Sequence, residues 1–156
     1  MHLLGLDVGS SSVKACLLDA GSGKVIADAI SPASELPIYA PQAGWAEQDP
    51  DKQWWANVKL AVAKLRDAAP QALADVKAIG IAYQMHGLVA VDSQGKPVRP
   101  AIIWCDGRAV EVGRQAALEL GERVCLDEFY NLPGNFTASK LAWVRQNEPQ
   151  IFSRIA

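Results

Sequence analysis

Apolar positions in the first thirty residues fall into three short runs separated by turn-forming residues. Leu3, Leu4, Leu6 and Val8 make the first, Val13 to Leu18 the second, and Lys24 to Ile30, with Val25, Ala27 and Ile30, the third. Gly9-Ser10-Ser11-Ser12 and Asp19-Ala20-Gly21-Ser22-Gly23 lie between them, so the pattern predicts a three-stranded meander. From Ser31 to Gln48 three prolines interrupt a stretch without helical period, which reads as an extended connection. Asp49 then stands where a helix cap belongs and Pro50 at a first helical position. Trp54, Val58, Ala61, Val62 and Leu65 recur at helical spacing as far as Pro70, giving one apolar face to cover a side of the sheet.

Further on, Val76 to Ala82 is short, rich in Ile and Val, and reads as a buried strand. Leu88 to Val91 and Pro100 to Trp104 flank the turn-rich Asp92 to Pro97 and predict a hairpin. A helix follows from about Ala109 to Leu120, stopped by Gly121. Val124 to Pro133 reads as a short helical turn. A last helix capped by Thr137 buries Leu141, Trp143 and Val144 and stops before Pro149. The order implies an α/β layer with a mixed sheet, whose strand ends bring polar groups to one edge. On that reading Asp7, the segment Gln84 to His86 and the segment Trp104 to Arg108 face one cleft.

Bulk properties narrow the function. With 156 residues, 50% of them apolar, the chain suffices for one domain with a sizeable core. Its 15 basic and 17 acidic residues leave a net charge of −2, which gives no footprint for nucleic acid or an anionic membrane. No apolar run approaches the roughly 18 residues of a membrane span, and a cytoplasmic protein is expected. Cys16, Cys105 and Cys125 are odd in number and widely spaced, and His2 and His86 are the only histidines, so neither a disulfide framework nor a structural zinc site fits.

The chemistry starts at Asp7, which ends an apolar strand just before Gly9. A glycine there lets backbone and the hydroxyls of Ser10, Ser11 and Ser12 approach an anion, with Lys14 nearby. The turn joins two strands, and neither a Walker A loop nor a Rossmann glycine pattern occurs. An ordinary hairpin with a strand-end acid is the alternative. If a phosphate donor binds there, Asp7 is suited to hold its Mg²⁺ through water. Gln84 and His86 offer partners for hydroxyl groups, Trp104 a flat face for sugar carbons, and Asp106 an acceptor with Arg108 as ion-pair partner. Each has a plain counterpart: His86 as a structural hydrogen-bonder, Trp104 and Met85 as core, Asp106 as a helix cap. Cys105 is expected to be inert packing.

Five ordered blocks together resemble the N-terminal part of the FGGY carbohydrate kinases, most closely their xylulokinase branch. They are Leu4 to Lys14; Gly44 to Pro50 with Trp54-Trp55; Gly80 to Gly87; Arg99 to Arg108; and Pro133 to Leu141. The block Gln84-Met85-His86-Gly87 favours this branch over the glycerol kinases. The resemblance implies a ribonuclease-H-like, actin-like ATPase fold with a mixed sheet flanked by helices, and ATP-dependent phosphorylation of D-xylulose at its 5-hydroxyl. It assigns Asp7 to metal and phosphate, Gly9 to Ser12 and Lys14 to the phosphate turn, and Met85, His86 and Trp104 to the sugar. Ser10 replaces a usual Thr and Cys105 a common Asn. Residues 1–156 correspond to the first part of the family's first domain, and the catalytic Asp and adenine pocket are expected outside them. A fragment inactive by itself is therefore expected, and a homodimer of the full-length enzyme is compatible with the resemblance. Another FGGY kinase, such as one acting on ribulose, and a non-catalytic actin-like sugar-binding paralogue are the other readings.

Overall fold

Alternation of side chains decides the first sheet. In the computed structural model, which describes residues 1–156, β1 (His2–Val8), β2 (Val13–Asp19) and β3 (Val25–Ser31) form the expected antiparallel meander. The chain divides into two units, Met1–Pro37 with Pro50–Gln84, and Ile38–Asp49 with Met85–Ala156. No helix is long and apolar enough to cross a membrane.

In the first unit, Leu4 of β1 and Val13, Ala15 and Leu17 of β2 bury against Val58, Ala61 and Leu65 of α1 (Ala56–Ala68), the face that the helical spacing indicated. Pro50 is the first helical residue, but the opening turn, Pro50–Trp55, is π-helical and α1 proper begins after it. Where α1 meets β3, buried polar groups satisfy one another: Ser31 Oγ donates to Asn57 Oδ1 at 2.8 Å, and Asn57 Nδ2 to the Gln53 carbonyl at 2.6 Å. Pro70 ends α1 as read, yet also opens a short helix, α2 (Pro70–Ala74), because a proline is tolerated at a first helical position.

The chain then returns as β5 (Val76–Tyr83), parallel to β1, and gives the sheet order β3-β2-β1-β5. Parallel neighbours need such a crossover, so the mixed sheet follows from the helix. The strand is not buried as expected: Ile79, Ile81 and Tyr83 are 59, 61 and 70% exposed. It is an edge strand, and α1 packs over β2 and β3 instead. An apolar run encodes the preference for burial, not the neighbour that provides it.

In the second unit, β4 (Glu47–Gln48) pairs antiparallel with β6 (Ala101–Ile102), and single bridges add Tyr39 beside Glu47 and Leu88 beside Ile102. The predicted hairpin is present: Val91 bridges Pro97, and the Asp92 N–H donates to the Lys96 carbonyl at 2.9 Å. Helices α3 (Val110–Leu120), α4 (Glu122–Phe129), α5 (Thr137–Asn147) and α6 (Pro149–Phe152) complete the unit. Gly121, at φ 88°, separates α3 from α4, which is longer than the single turn expected there. Leu88, Ile102 and Val144 form a core with Leu141, Trp143, Ile151, Phe152 and Ile155. Gly113 of α3 packs directly on the backbone of Pro133 and Gly134, where a Cβ would overlap both. Thr137 does not cap α5: its Oγ1 donates to the Gly87 carbonyl at 3.1 Å, and no side chain caps the helix.

Candidate active site

The register of the first hairpin fixes which side chains face away from α1. Because Leu4, Val13, Ala15 and Leu17 face α1, their alternates Asp7, Lys14 and Cys16 turn to the opposite face, with Asp28 and Ile30 of β3 paired beside them. They line a cleft of about 550 Å³. Asp7 and Lys14 are direct cross-strand partners, Nζ lying 3.3 Å from Oδ2, and both are about half exposed. A carboxylate at a strand end is thus open to solvent, as read, and loosely paired with a cation.

Gly9 closes the turn. Its N–H donates to the Ser12 carbonyl at 3.1 Å, and a Cβ would lie 3.1 Å from the same oxygen, closer than side chains ordinarily approach. That N–H is used inside the turn, which leaves any anion to the groups that follow it. The Leu36 N–H holds the Ser11 carbonyl at 2.8 Å, and the Ser11 residue is exposed. Gln84, just after β5, donates its N–H to the Val8 carbonyl at 3.3 Å. Its side-chain Nε2 and Oε1 are buried without a protein partner. Buried amides nearly always find partners, which makes Gln84 a candidate ligand contact.

In the second unit, Met85 is 69% exposed and Trp104 is 50% exposed, so neither is core. His86 is exposed at φ 61°, an uncommon backbone conformation for any residue but glycine. Its imidazole stacks on Phe136, centroids 5.2 Å apart and planes 11° from parallel. The carbonyl of Trp104 accepts from the side-chain amide of Asn135. Cys105 is exposed beside it rather than packed inside.

Beneath these residues lies Lys140, fully buried, with Nζ 2.7 Å from the His86 carbonyl and 3.0 Å from the Asn135 carbonyl. Burial pushes its ammonium down to about 8 from the ordinary 10.5, against the pull of nearby Asp106 and Cys105. Sequence reasoning assigned no role to Lys140, Asn135 or Phe136. One signal was present: all three lie in the motif block Pro133 to Leu141.

Asp106 departs from the expected hydroxyl acceptor. It is fully buried, accepting from the Ala46 N–H at 2.5 Å, the Arg108 N–H and Nε at 2.9 Å, and Arg108 Nη2 at 2.7 Å. Nor does it cap α3, which lacks a side-chain cap. Burial opposes its ionisation, but the Arg108 guanidinium and the two backbone donors outweigh it and hold the carboxyl below the usual 3.8. Arg108 also bonds Glu47 at 2.7 Å and lies 3.7 Å over the Trp45 ring, which meets Trp143 edge-on at 5.3 Å. Arg99 extends the network, pairing with Glu47 and with Glu148. The expected Asp106–Arg108 pair is therefore real, but it supports the loop that carries Trp104 rather than facing solvent.

Residues 2–156 match the N-terminal domain of the FGGY family of carbohydrate kinases. The chain belongs to this family. Two curated FGGY relatives, the xylulose kinases of Escherichia coli (strain K12) and Klebsiella pneumoniae, are 40% and 38% identical to it over 152 residues. These matches cover 97% of this chain, which spans 30% of the length of either relative. Among solved structures, the xylulose kinase from Rhodospirillum rubrum gives a TM-score of 0.88 at 27% identity, covering 100% of this chain and 31% of that one. A Brucella ovis protein described as a xyloylose kinase gives 0.87 at 36% identity, covering 99% and 31%. The fold is thus the α/β, actin-like ATPase type of the FGGY kinases, with a mixed sheet flanked by helices.

Proposed function

We propose that the full-length protein transfers the terminal phosphoryl group of ATP to the 5-hydroxyl of D-xylulose. The observation that carries this reading is the separation of two chemistries in one FGGY chain. A half-exposed carboxylate and lysine flank the serine turn on β1 and β2, while an exposed His86 and Trp104 have their backbones pinned from below. The first set suits phosphates and a divalent ion. The second suits a polyol, with imidazole and indole offering a hydrogen-bonding edge and an apolar face.

The phosphates of ATP with Mg²⁺ suit the residues present: Mg²⁺ characteristically takes one or two carboxylates together with substrate phosphates, and the Asp7 carboxylate is half exposed beside the turn. Asp7 would hold the ion through water, with Ser10, Ser11, Ser12 and Lys14 on the phosphates. Bound there, the metal would offset charge on the donor phosphates. Lys14 would exchange its 3.3 Å contact with Asp7 for phosphate oxygens, a small cost for an exposed pair. Met85, His86 and Gln84 would contact the ketose and Trp104 would pack on its carbons. Asp106 is given no direct contact.

Cys105 favours a second reading. It is exposed next to Trp104, at a position where the xylulokinase pattern commonly carries an amide, and so suits another pentulose or hexulose as substrate. Ketose-dependent ADP release by the full-length protein separates the two. D-xylulose should be the preferred substrate in a panel with D-ribulose and hexuloses; a preference for another ketose would replace the first reading by the second, and no turnover with any would remove both.

A further inference from the structure

We infer that Lys140 is a positioning residue of the sugar site, tying the backbone of His86 to that of Trp104 through Asn135; this rests on the sugar-kinase reading above. The first ground is where the side chain is spent. A lysine ordinarily buries its stem and keeps its ammonium in water. Here the whole side chain is buried, and Nζ is directed at two backbone carbonyls, 2.7 Å from that of His86 and 3.0 Å from that of Asn135. Burying a cation on neutral acceptors is unfavourable, so packing alone is a poor reason for a lysine at this position.

The second ground is what those carbonyls belong to. His86 is held at φ 61°, a conformation that a non-glycine residue keeps only when its surroundings impose it. Three residues at the start of α5 or just before it grip His86 and the Gly87 that follows: Lys140 takes the His86 carbonyl, Thr137 Oγ1 the Gly87 carbonyl at 3.1 Å, and Phe136 stacks under the imidazole. Asn135 meanwhile accepts from Lys140 with its carbonyl and donates its side-chain amide to the Trp104 carbonyl. One ammonium thereby joins two segments that are distant in sequence and carry the proposed imidazole and indole contacts. Without it the two would relax independently, and a ketose would meet a less organised site, whereas nucleotide binding would not change.

The test compares Lys140→Met and Asn135→Ala in the full-length protein, reading kcat and KM for D-xylulose and for ATP. Both substitutions should raise the ketose KM by about tenfold, the scale of one lost hydrogen-bonded contact, with the ATP KM within about twofold. In a His86→Ala background Lys140→Met should add clearly less than about tenfold to the ketose KM, since one of the two side chains it positions is gone. A ketose KM that stays within about twofold of the parent, ketose and ATP KM values that rise together, or full additivity with His86→Ala would each overturn the inference. Should Lys140→Met fail to fold, Asn135→Ala decides in the same terms, because Asn135 is only partly buried and its substitution keeps Lys140. A parent protein inactive on every ketose removes the kinase reading and this inference with it; an active parent with unaffected variants removes only the inference.

Discussion

The Asp106 carboxylate and the Arg108 guanidinium, two residues apart, form an ion pair of 2.7 Å with both side chains at most 1% exposed. Replacing this carboxylate by an amide leaves Glu47 as the ion partner of the buried Arg108 and turns an NH₂ toward an N–H donor. Asp106→Asn should therefore lower stability by about 1.5–3 kcal/mol, measured by urea denaturation of the full-length protein near neutral pH. The pH dependence has a definite sign. The folded carboxyl titrates below 3.8, so its contribution is complete above that value and is lost as pH falls through the depressed folded pKa. The stability difference between parent and variant should narrow in that acid range. A difference unchanged between pH 7 and pH 3 would contradict the buried pair.

Lys140 gives a slope of the same sign in the alkaline range. Its ammonium titrates at about 8 when folded against 10.5 ordinarily, so the unfolded chain binds more protons between those values. The parent should gain stability relative to Lys140→Met as pH rises from 8 to 10.5. Thermal unfolding of both proteins across that window reads the difference directly, and a parallel pair of curves would count against the burial.

Asp7 and Lys14 predict a separation of activity from stability. Their contact is 3.3 Å between half-exposed groups, a type of pair worth less than about 1 kcal/mol. Asp7→Ala should reduce ketose-dependent ADP release by at least about 100-fold, the scale of removing an electrostatic contact at a reacting phosphate, while the melting temperature stays near the parent's. Lys14→Met should raise the ATP KM and leave the ketose KM unchanged. Turnover retained in Asp7→Ala would remove it from the site.

Gly113 sets two effects against each other. Glycine to alanine within a helix ordinarily gains about 1 kcal/mol. At this position the new Cβ would overlap the Pro133 carbonyl and the Gly134 backbone, neither of which can yield like a flexible side chain. Overpacking should win, with a net loss of about 1–3 kcal/mol by denaturant titration. A stabilised Gly113→Ala protein would mean that the turn after α4 moves freely.

The residues separate cleanly by what local chemistry could specify. Alternation along Leu4–Val8 and Val13–Leu17, and the spacing of Val58, Ala61 and Leu65, predicted the first hairpin, its buried face and the helix that covers it, since each depends on neighbours a few residues away. The same alternation turned Asp7 and Lys14 outward. The five motif blocks carried the family, and the family the fold. What local pattern does not contain is a partner's identity. The run Val76 to Ala82 reads as buried, but its place on the sheet edge leaves it exposed; Asp106 reads as a ligand or a cap, but Ala46 and Arg108 consume its oxygens. Thr137 reads as a cap, but Gly87 takes its hydroxyl, and nothing local to Lys140 marks it until the chain brings His86 and Asn135 over it. Hydrophobic period is a property of one segment, whereas a hydrogen bond between residues fifty apart exists only after the segments have packed.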